Sequence, residues 1–203
     1  MGDSRPVAGE AVDREVRGRI FASALVLFSQ RGFAATSLRE IAENAQTTKP
    51  MIYYYFGSKE ELYSSIVRHV LEEMAEAIVS TIPGEAQPSD QVMEYCRVYL
   101  HHFHTHEDII ALVLREVFGL GGVPMAALGQ TLSHKVRQPL DEILRRGMEL
   151  GEFVPDNAAT CATAITGILN MFILAHVFGG APFEEEAPLH QVRYYVAGLV
   201  PVR

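Results

Sequence analysis

Cysteine is scarce in this sequence, and its first residues lack the apolar core of a secretory signal peptide. Only two cysteines, Cys96 and Cys161, occur among 203 residues, so no disulfide framework is available. The opening stretch MGDSRPVAGEAV is polar and small, and we expect residues 1–13 to form a flexible arm. These features favour a cytoplasmic protein in a reducing environment.

Recognisable catalytic motifs are also lacking. The stretch GLGG is not a phosphate loop, because no strand precedes it and no Lys-Ser/Thr pair follows it. The sequence contains no nucleophile elbow and no helical His-Glu-x-x-His pattern. We therefore predict a protein that is not an enzyme and that carries no cofactor.

The histidine-rich stretch HHFHTHED is a candidate for metal binding. His102 and His106 are four residues apart and His101 and His104 are three apart, so each pair could share a metal on one helix face. No cysteine lies nearby, and histidines near a helix C-terminus interact favourably with the helix dipole. We predict no metal site here; a metal sensor that uses the His101–His106 cluster is the alternative.

Acidic residues are few in the N-terminal part, although the whole chain has a formal net charge of −8. Residues 14–59 hold seven basic and three acidic side chains, a net charge of +4. The remaining positions hold ten basic and 22 acidic residues, a net charge of −12. A basic head on an acidic body predicts an anionic partner for the head.

A long stretch without charge runs from Asn157 to Phe183, where no Asp, Glu, Lys or Arg occurs. Its length is sufficient to cross a membrane. Three threonines, an asparagine and a histidine interrupt it, however, and acidic rather than basic residues flank it. We predict a helix buried on several sides instead of a membrane span.

Alternating strand patterns are absent and helical periodicity dominates, so the predicted fold class is all-α. Gly32 predicts the end of a first helix, and capping-box patterns predict helices that begin at Ser37 and Ser58. The helix from Ser58 is expected to reach residue 82, and Pro139 is expected to kink a later one. The later helices are predicted at 89–105, 107–118, 124–150, 157–178 and 188–200.

Three consecutive tyrosines, Tyr53–Tyr55, stand in the stretch TTKPMIYYYFGSKEELY and cannot share one helix face. The helix that carries them is predicted to begin at Thr47 or Thr48. On a helical wheel Ile52 and Phe56 point to one side, which predicts the core. Tyr54 points to the opposite, outward side, and the other two tyrosines flank this outward face.

A short helix, a tight turn and the tyrosine helix have the layout of a helix-turn-helix, whose second helix enters the DNA major groove. No acidic residue occurs from 44 to 59, and phenolic hydroxyl groups can donate to phosphate oxygens. Lys59, Thr36 and Ser37 stand at helix starts and are predicted anion sites. The alternative is a small helical head whose tyrosines cover its core or contact another protein.

The stretch RIFASALVLFSQRGFAATSLREIAENAQTTKPMIYYYFGSKEELY resembles the DNA-binding head of the TetR family of bacterial transcriptional regulators. The resemblance runs without gaps from about Arg17 to Tyr63. It implies phosphate contacts from Thr36, Tyr54, Tyr55 and Lys59, and base contacts from Thr47, Lys49, Met51 and Tyr53. The full predicted DNA-binding set is Thr36, Ser37, Arg39, Thr47, Thr48, Lys49, Met51, Tyr53, Tyr54, Tyr55 and Lys59.

Three positions depart from the family pattern. Gln46 occupies a turn position that usually carries Gly, and a left-handed backbone there costs a non-glycine residue about 1 kcal/mol. Pro50 stands where Gly or another small residue is common. Tyr55 replaces a more usual His, and it keeps the ability to donate to phosphate.

Beyond Tyr63 the resemblance is limited to the number and rough length of the helices, and it implies a body that binds a small ligand and forms a homodimer. Apolar stripes on the last two helices agree with a four-helix dimer interface. These stripes contain Ala164, Gly167, Met171 and Leu174; Ile165, Ile168, Phe172 and Ala175; and Leu189, Val192, Val196 and Leu199. The predicted ligand-binding residues are Met74, Ile78, Met93, Cys96, Tyr99, Phe103, Phe118 and Asn170.

The predicted domains are the arm 1–13, a DNA-binding domain 14–58 with its helix-turn-helix at about 37–56, and a ligand-binding and dimerisation domain 59–203. The predicted function is a ligand-responsive transcriptional repressor. It binds a near-palindromic DNA operator as a homodimer and is released by a small apolar or amphipathic molecule, with the helix from Ser58 as the coupling element. The alternative is a small helical enzyme or lipid-binding protein that uses the head for protein contacts.

Overall fold

A computed structural model describes residues 8–111 and 126–201, and every regular element in these ranges is helical. The predicted all-α fold is confirmed. A short helical stretch also covers residues 107–111. The main helices are α1 Ala8–Ala35, α2 Leu38–Asn44, α3 Lys49–Phe56, α4 Lys59–Thr81, α5 Pro88–Thr105, α6 Ala126–Glu149, α7 Ala158–Gly179 and α8 Glu186–Leu199.

The helix boundaries agree with the sequence patterns to within two residues at both ends of α5, α6, α7 and α8. Pro139 lies inside α6, which continues through it to Glu149. The predicted helix 107–118 extends past the described residues, and the predicted ligand-binding residue Phe118 lies outside them.

The described residues divide into two compact units. The first, which we call the head, extends to His69 and also includes 108–111. The second, the body, comprises Val70–Glu107 and the described chain from Ala126 onward. Since α4 runs from Lys59 to Thr81, its first part belongs to the head and the rest to the body.

The head core is aromatic where α1 meets α4. Gly32 adopts φ 80° and ψ 166°, a backbone conformation essentially restricted to glycine, and this ends the regular part of α1 as predicted. Beyond the kink, the ring of Phe33 stacks on Phe28 with centroids 5.7 Å apart. The fully buried Tyr63 of α4 packs edge-on against both rings. This cluster fixes the start of α4 against the end of α1.

The start of α2 and its link to α3 have the geometry that the sequence predicts. Ser37 Oγ accepts from the Glu40 amide at 3.2 Å, and Glu40 Oε2 accepts from the Ser37 amide at 2.9 Å, which completes the capping box. Gln46 has φ 51°, the left-handed conformation expected at this turn position. Ser23 of α1 donates to Asn44 Oδ1 at 3.0 Å and thereby fixes the end of α2.

In the body, α7 presents only one buried stripe, whereas the sequence predicted burial on several sides. Its buried residues include Cys161, Ile165, Leu169 and Ile173. By length and composition alone α7 could cross a membrane, with a mean hydropathy of 1.8 over 18 residues, of which 28% are buried. A helix in the core of a globular protein can also meet these criteria, and α7 packs on α6 and α8.

The apolar stripe of α8 is not available for a partner, which corrects the predicted dimer interface. Leu189, Val192, Val196 and Leu199 are all buried within the protomer. Ile165 of α7 is buried in the same way. A helix of 14 residues has a single apolar face, and α8 packs that face against the core of its own body.

Candidate nucleic-acid interface

The outward face of α3 is the most exposed aromatic surface of the head. The side chain of Tyr54 is 73% exposed and that of Tyr53 is 54% exposed. Ile52 and Phe56, on the opposite side, are buried in the head core. The predicted division of this helix into a core side and an outward side therefore matches the structure.

The N-terminal turn of α3 offers polar groups that are not used by the helix itself. Thr48 stands at the N-cap with an extended backbone, yet its side chain makes no capping hydrogen bond. Lys49 is exposed, and among the described residues it has no acidic partner. Thr47 and Met51 are half-buried beside them. These four side chains lie where a helix-turn-helix places its base contacts.

Arg39 of α2 lies at the edge of this surface and is largely exposed. Its Nε is 3.4 Å from Glu43 Oε1, one turn further along α2. An exposed ion pair of this kind contributes at most about 1 kcal/mol and is screened by salt. Arg39 can therefore exchange Glu43 for a phosphate at small cost.

Lys59 is the first residue of α4, and the Phe33 ring holds its ammonium group in place. Lys59 Nζ lies 4.2 Å from the centroid of the Phe33 ring, within the range of a cation–π interaction. Partial burial lowers the pKa of Lys59. Ser58 Oγ caps the same helix end by accepting from the Glu61 amide at 3.0 Å. The ammonium group and the positive end of the helix dipole both attract an anion that approaches this helix N-terminus.

Tyr55 differs from its two neighbours, because its hydroxyl donates to the Asp13 carboxylate of α1. This hydrogen bond and partial burial raise the pKa of Tyr55 to about 12. The Tyr55 ring also packs edge-on against Tyr54, with centroids 5.0 Å apart. Sequence patterns could not reveal the pair, since its members are 42 residues apart.

Two predicted phosphate contacts have internal roles instead. Thr36 is buried, and its hydroxyl is within 2.8 Å of the Gly32 carbonyl and 3.1 Å of the Leu27 carbonyl. The Ser37 hydroxyl is held by Glu40 in the capping box. A hydroxyl has only one proton to donate, and both hydroxyls already donate within the head, so neither is free for a phosphate.

Comparison with known proteins agrees with this interface. Residues 20–66 match the sequence profile described as "Bacterial regulatory proteins, tetR family". The HTH-type transcriptional repressor KstR2 of Mycobacterium tuberculosis is 25% identical over 150 residues, which are 74% of each chain. The TetR family regulator PfmR from Thermus thermophilus is 25% identical, and its crystal structure aligns with a TM-score of 0.71 over 90% of this chain and 100% of that one.

The chain carries the DNA-binding head of the TetR family at residues 20–66. It is a DNA-binding regulator, as its relatives are. Its fold is also similar to that of FadR from Bacillus subtilis, solved in complex with stearoyl-CoA. That comparison has a TM-score of 0.75 and covers 90% of this chain and 97% of that one at 16% identity.

In the body, four of the eight predicted ligand-binding residues lie in the core. Met74, Ile78, Cys96 and Phe103 are fully or almost fully buried. Burial raises the pKa of the Cys96 thiol to about 12, so it is not a reactive thiolate. Met93, Tyr99 and Asn170 are half-buried.

The structure brings two of the predicted residues together. The Tyr99 hydroxyl of α5 donates to Asn170 Oδ1 of α7 at 2.8 Å. Burial raises the pKa of Tyr99 to about 12, so the phenol is neutral near pH 7 and acts as a donor. The pair fixes α7 against α5 and leaves the Asn170 amide hydrogens for another partner.

A separate groove of about 680 Å³ opens where the end of α4, the first half of α5 and α8 meet. Met93 is the predicted ligand-binding residue that lines it. Its apolar lining includes Val196 and Val200, and its charged lining is balanced, with Arg97 and Arg193 beside Asp90 and Glu94. The sequence did not indicate this groove, since its walls come from segments that are about 100 residues apart.

The histidine cluster is divided between interior and surface. His102 is buried, with Nε2 at 2.8 Å from the Val70 carbonyl, and burial lowers its pKa. The His106 ring lies 4.4 Å from it, whereas His101 and His104 are exposed. Within the part of the chain that the structure describes, no group of three or more His, Cys, Asp or Glu side chains is placed to hold a metal.

Proposed function

We propose that this protein is a transcriptional repressor that binds a near-palindromic DNA site as a homodimer and leaves it when an amphipathic small molecule binds the body. The outward face of α3 carries the proposal, because its exposed tyrosines and Lys49 belong to a segment, 44–59, that contains no acidic residue. The relative KstR2 is described as a repressor. The cytoplasm is the compartment in which such a protein meets DNA.

In the proposed complex α3 lies in the major groove. Tyr54 and Tyr55 donate their phenolic hydroxyls to phosphate oxygens at the groove walls, and Tyr53 lies beside the bases. Thr47, Lys49 and Met51 face base edges, and methionine carbons can pack on thymine methyl groups. Lys59 and the N-terminus of α4 bind a further phosphate.

The homodimer is proposed to form through the outer faces of α7 and α8. Met171 and Phe178 of α7 and Tyr194 of α8 are large apolar groups that remain 64%, 45% and 65% exposed. Gly167 lies on the same side of α7, and no atom lies within 4 Å of the place where its Cβ would stand. Exposed apolar side chains of this size mark interaction surfaces. Two heads would then read half-sites about 34 Å apart.

The proposed effector is amphipathic. The groove along α5 and α8 has a volume of about 680 Å³, an apolar lining, and two arginines and two carboxylates at its wall. Volumes of this order are typical of small-molecule sites. The stearoyl-CoA bound to Bacillus subtilis FadR is an example of this chemistry in a protein of the same fold.

Release would use α4, which contributes to both the head and the body. Ligand binding that displaces the body portion of α4 would change the spacing of the two heads. Reversing occupancy from 99:1 to 1:99 requires a difference of about 5.5 kcal/mol in ligand affinity between the two states. An apolar tail that buries several hundred Å² in only one state supplies that difference at about 25 cal/mol per Å².

Selection of bound duplexes from a random pool tests the DNA-binding part of this proposal. We expect an inverted repeat whose half-sites are one helical turn apart or a multiple of that distance. Recovery of sequences without an inverted repeat would contradict binding as a symmetric dimer.

Titration of the operator complex with stearoyl-CoA, followed by fluorescence anisotropy, tests the effector. We expect wild-type protein to release DNA and Met93→Trp to release it at much higher ligand concentration, because the indole fills the groove. Leu150→Trp, at an exposed position outside the groove, is the matched control. Equal release by both variants would move the ligand site elsewhere.

A further inference from the structure

Asp13 places a negative charge beside the face of α3 that is proposed to meet DNA phosphates. It lies on α1, and its carboxylate accepts the hydroxyl hydrogen of Tyr55. The neighbouring residue of α3, Phe56, receives the Arg17 guanidinium over its ring at 5.3 Å. The first turns of α1 therefore contact the end of α3 through two independent pairs.

We propose that Asp13 is an internal competitor of the DNA backbone for the Tyr55 hydroxyl and so lowers the affinity of the head for DNA. This inference rests on the proposed function. In the free head the carboxylate holds the phenol, and a phosphate has to displace it before Tyr55 can contact DNA. Asp13 is thereby a determinant of DNA affinity that acts through another residue.

The competition follows from the chemistry of the phenol. The hydroxyl carries a single hydrogen, so it cannot donate fully to a carboxylate and to a phosphate at the same time. Both acceptors are anions, and hydrogen bonds to either are of the stronger, charge-assisted kind. Once displaced, the carboxylate is left without this donor near a phosphate, and the two negative charges repel each other.

Removal of the carboxylate has a defined expected result. In Asp13→Ala the phenol is free for phosphate, and we expect affinity for a duplex that wild-type protein binds to rise about tenfold, which corresponds to 1.4 kcal/mol. Glu15→Ala is the matched control, because it also removes one negative charge from α1. Glu15 pairs with Arg19 at 3.1 Å, not with α3.

The double variant separates the hydrogen bond from simple charge. In a Tyr55→Phe background there is no hydroxyl to release, so we expect Asp13→Ala to increase affinity by no more than Glu15→Ala does. An equal gain from Asp13→Ala with and without the Tyr55 hydroxyl overturns the inference, as does a loss of affinity in Asp13→Ala. Binding is measured by fluorescence anisotropy at fixed salt, because DNA affinity depends steeply on salt.

A readout without DNA tests the contact itself. Labelling with ¹³C-tyrosine allows the Tyr55 hydroxyl to be titrated. At about pH 11 we expect this hydroxyl to remain protonated in wild-type protein and to be ionised in Asp13→Ala, because the pKa of the phenol then returns towards its ordinary value of about 10. Identical titration in both proteins overturns the inference. A wild-type chain that binds no duplex overturns the proposed function, whereas a chain that binds DNA without coupling between residues 13 and 55 overturns only the role of Asp13.

Discussion

The ring of Phe153 lies directly against the backbone of Gly147. A Cβ at Gly147 would be 2.3 Å from Phe153 Cδ2 and 3.0 Å from the Cβ of Pro88. The Phe153 amide also donates to the Gly147 carbonyl at 3.1 Å. The end of α6, the segment that follows it and the start of α5 therefore meet at a residue that has room for no side chain.

Gly147→Ala is expected to destabilise the protein by about 1–3 kcal/mol, the usual range for overpacking a core. The measurement is urea unfolding followed by circular dichroism. Gly18→Ala is the matched control: Gly18 lies inside α1, and a Cβ there meets nothing within 4 Å. It should gain up to about 1 kcal/mol from helix propensity. Equal stabilities of the two variants would contradict the packing at Gly147.

Variants of the α3 face separate phosphate contacts from base contacts. Tyr54→Ala and Lys59→Ala should weaken binding to all duplexes alike, and Lys59→Ala should reduce the slope of log affinity against log salt by about 1. Met51→Ala and Thr47→Ala should instead change the preferred bases. Anisotropy titrations over a series of salt concentrations measure both effects. If Tyr54→Ala folds normally and binds its operator as wild-type protein does, the groove assignment is wrong.

Gly167→Arg tests the outer face of α7. A Cβ at Gly167 meets nothing within 4 Å in the protomer, so the substitution should leave the fold intact. In a close helix contact between two subunits, an unpaired buried charge costs several kcal/mol, about 3–5. Light scattering should then detect a monomer, while Gln138→Arg, at an exposed position of α6, should stay dimeric. An unchanged dimer in Gly167→Arg would place the interface elsewhere.

His102 makes stability depend on pH in one direction. Burial lowers its pKa in the folded state, so the unfolded chain binds more protons below the unfolded pKa of about 6.5. The contribution of His102 to the free energy of unfolding is therefore present above about pH 6.5 and is lost as the pH falls below that value. His102→Asn should lose this component, and His104→Asn, exposed on the same helix, should keep it. Urea midpoints at several pH values provide the measurement.

His176 is expected to act in the opposite direction. Hydrogen bonds with the Ala181 carbonyl, at 2.6 Å, and with Glu107 Oε1, at 2.8 Å, raise its pKa. Its contribution is therefore complete below about 6.5 and is lost as the pH rises through the folded pKa. His176→Asn should reduce the loss of stability between about pH 6 and pH 8. The same loss in His176→Asn and wild-type protein would contradict this role.

Sequence patterns predicted the elements that depend on neighbouring residues. The capping box at Ser37 and Glu40, the end of the regular part of α1 at Gly32 and the buried side of α3 follow from spacings of four residues or fewer. The left-handed Gln46 followed from its place in the family pattern. Local backbone chemistry determines such features, so the sequence predicts them without knowledge of the tertiary structure.

Features that depend on distant residues could not be predicted in this way. The partners Asp13 and Tyr55, and Tyr99 and Asn170, are 42 and 71 residues apart. The α8 stripe shows a second limit, because an apolar helix face has the same sequence pattern whether its own core or another subunit covers it. Leu189 and its neighbours belong to the first case.

The position of α4 also limits where the DNA-binding head of one relative can be joined to the body of another. Leu62, Tyr63 and Ile66 follow the predicted domain boundary at 58, yet they are fully buried members of the head core. A chimera joined at Ser58 would pair one protein's aromatic cluster with another protein's α4 and leave Phe28 and Phe33 facing foreign side chains. Grafting a new DNA specificity onto this body therefore requires a junction within α4, beyond His69.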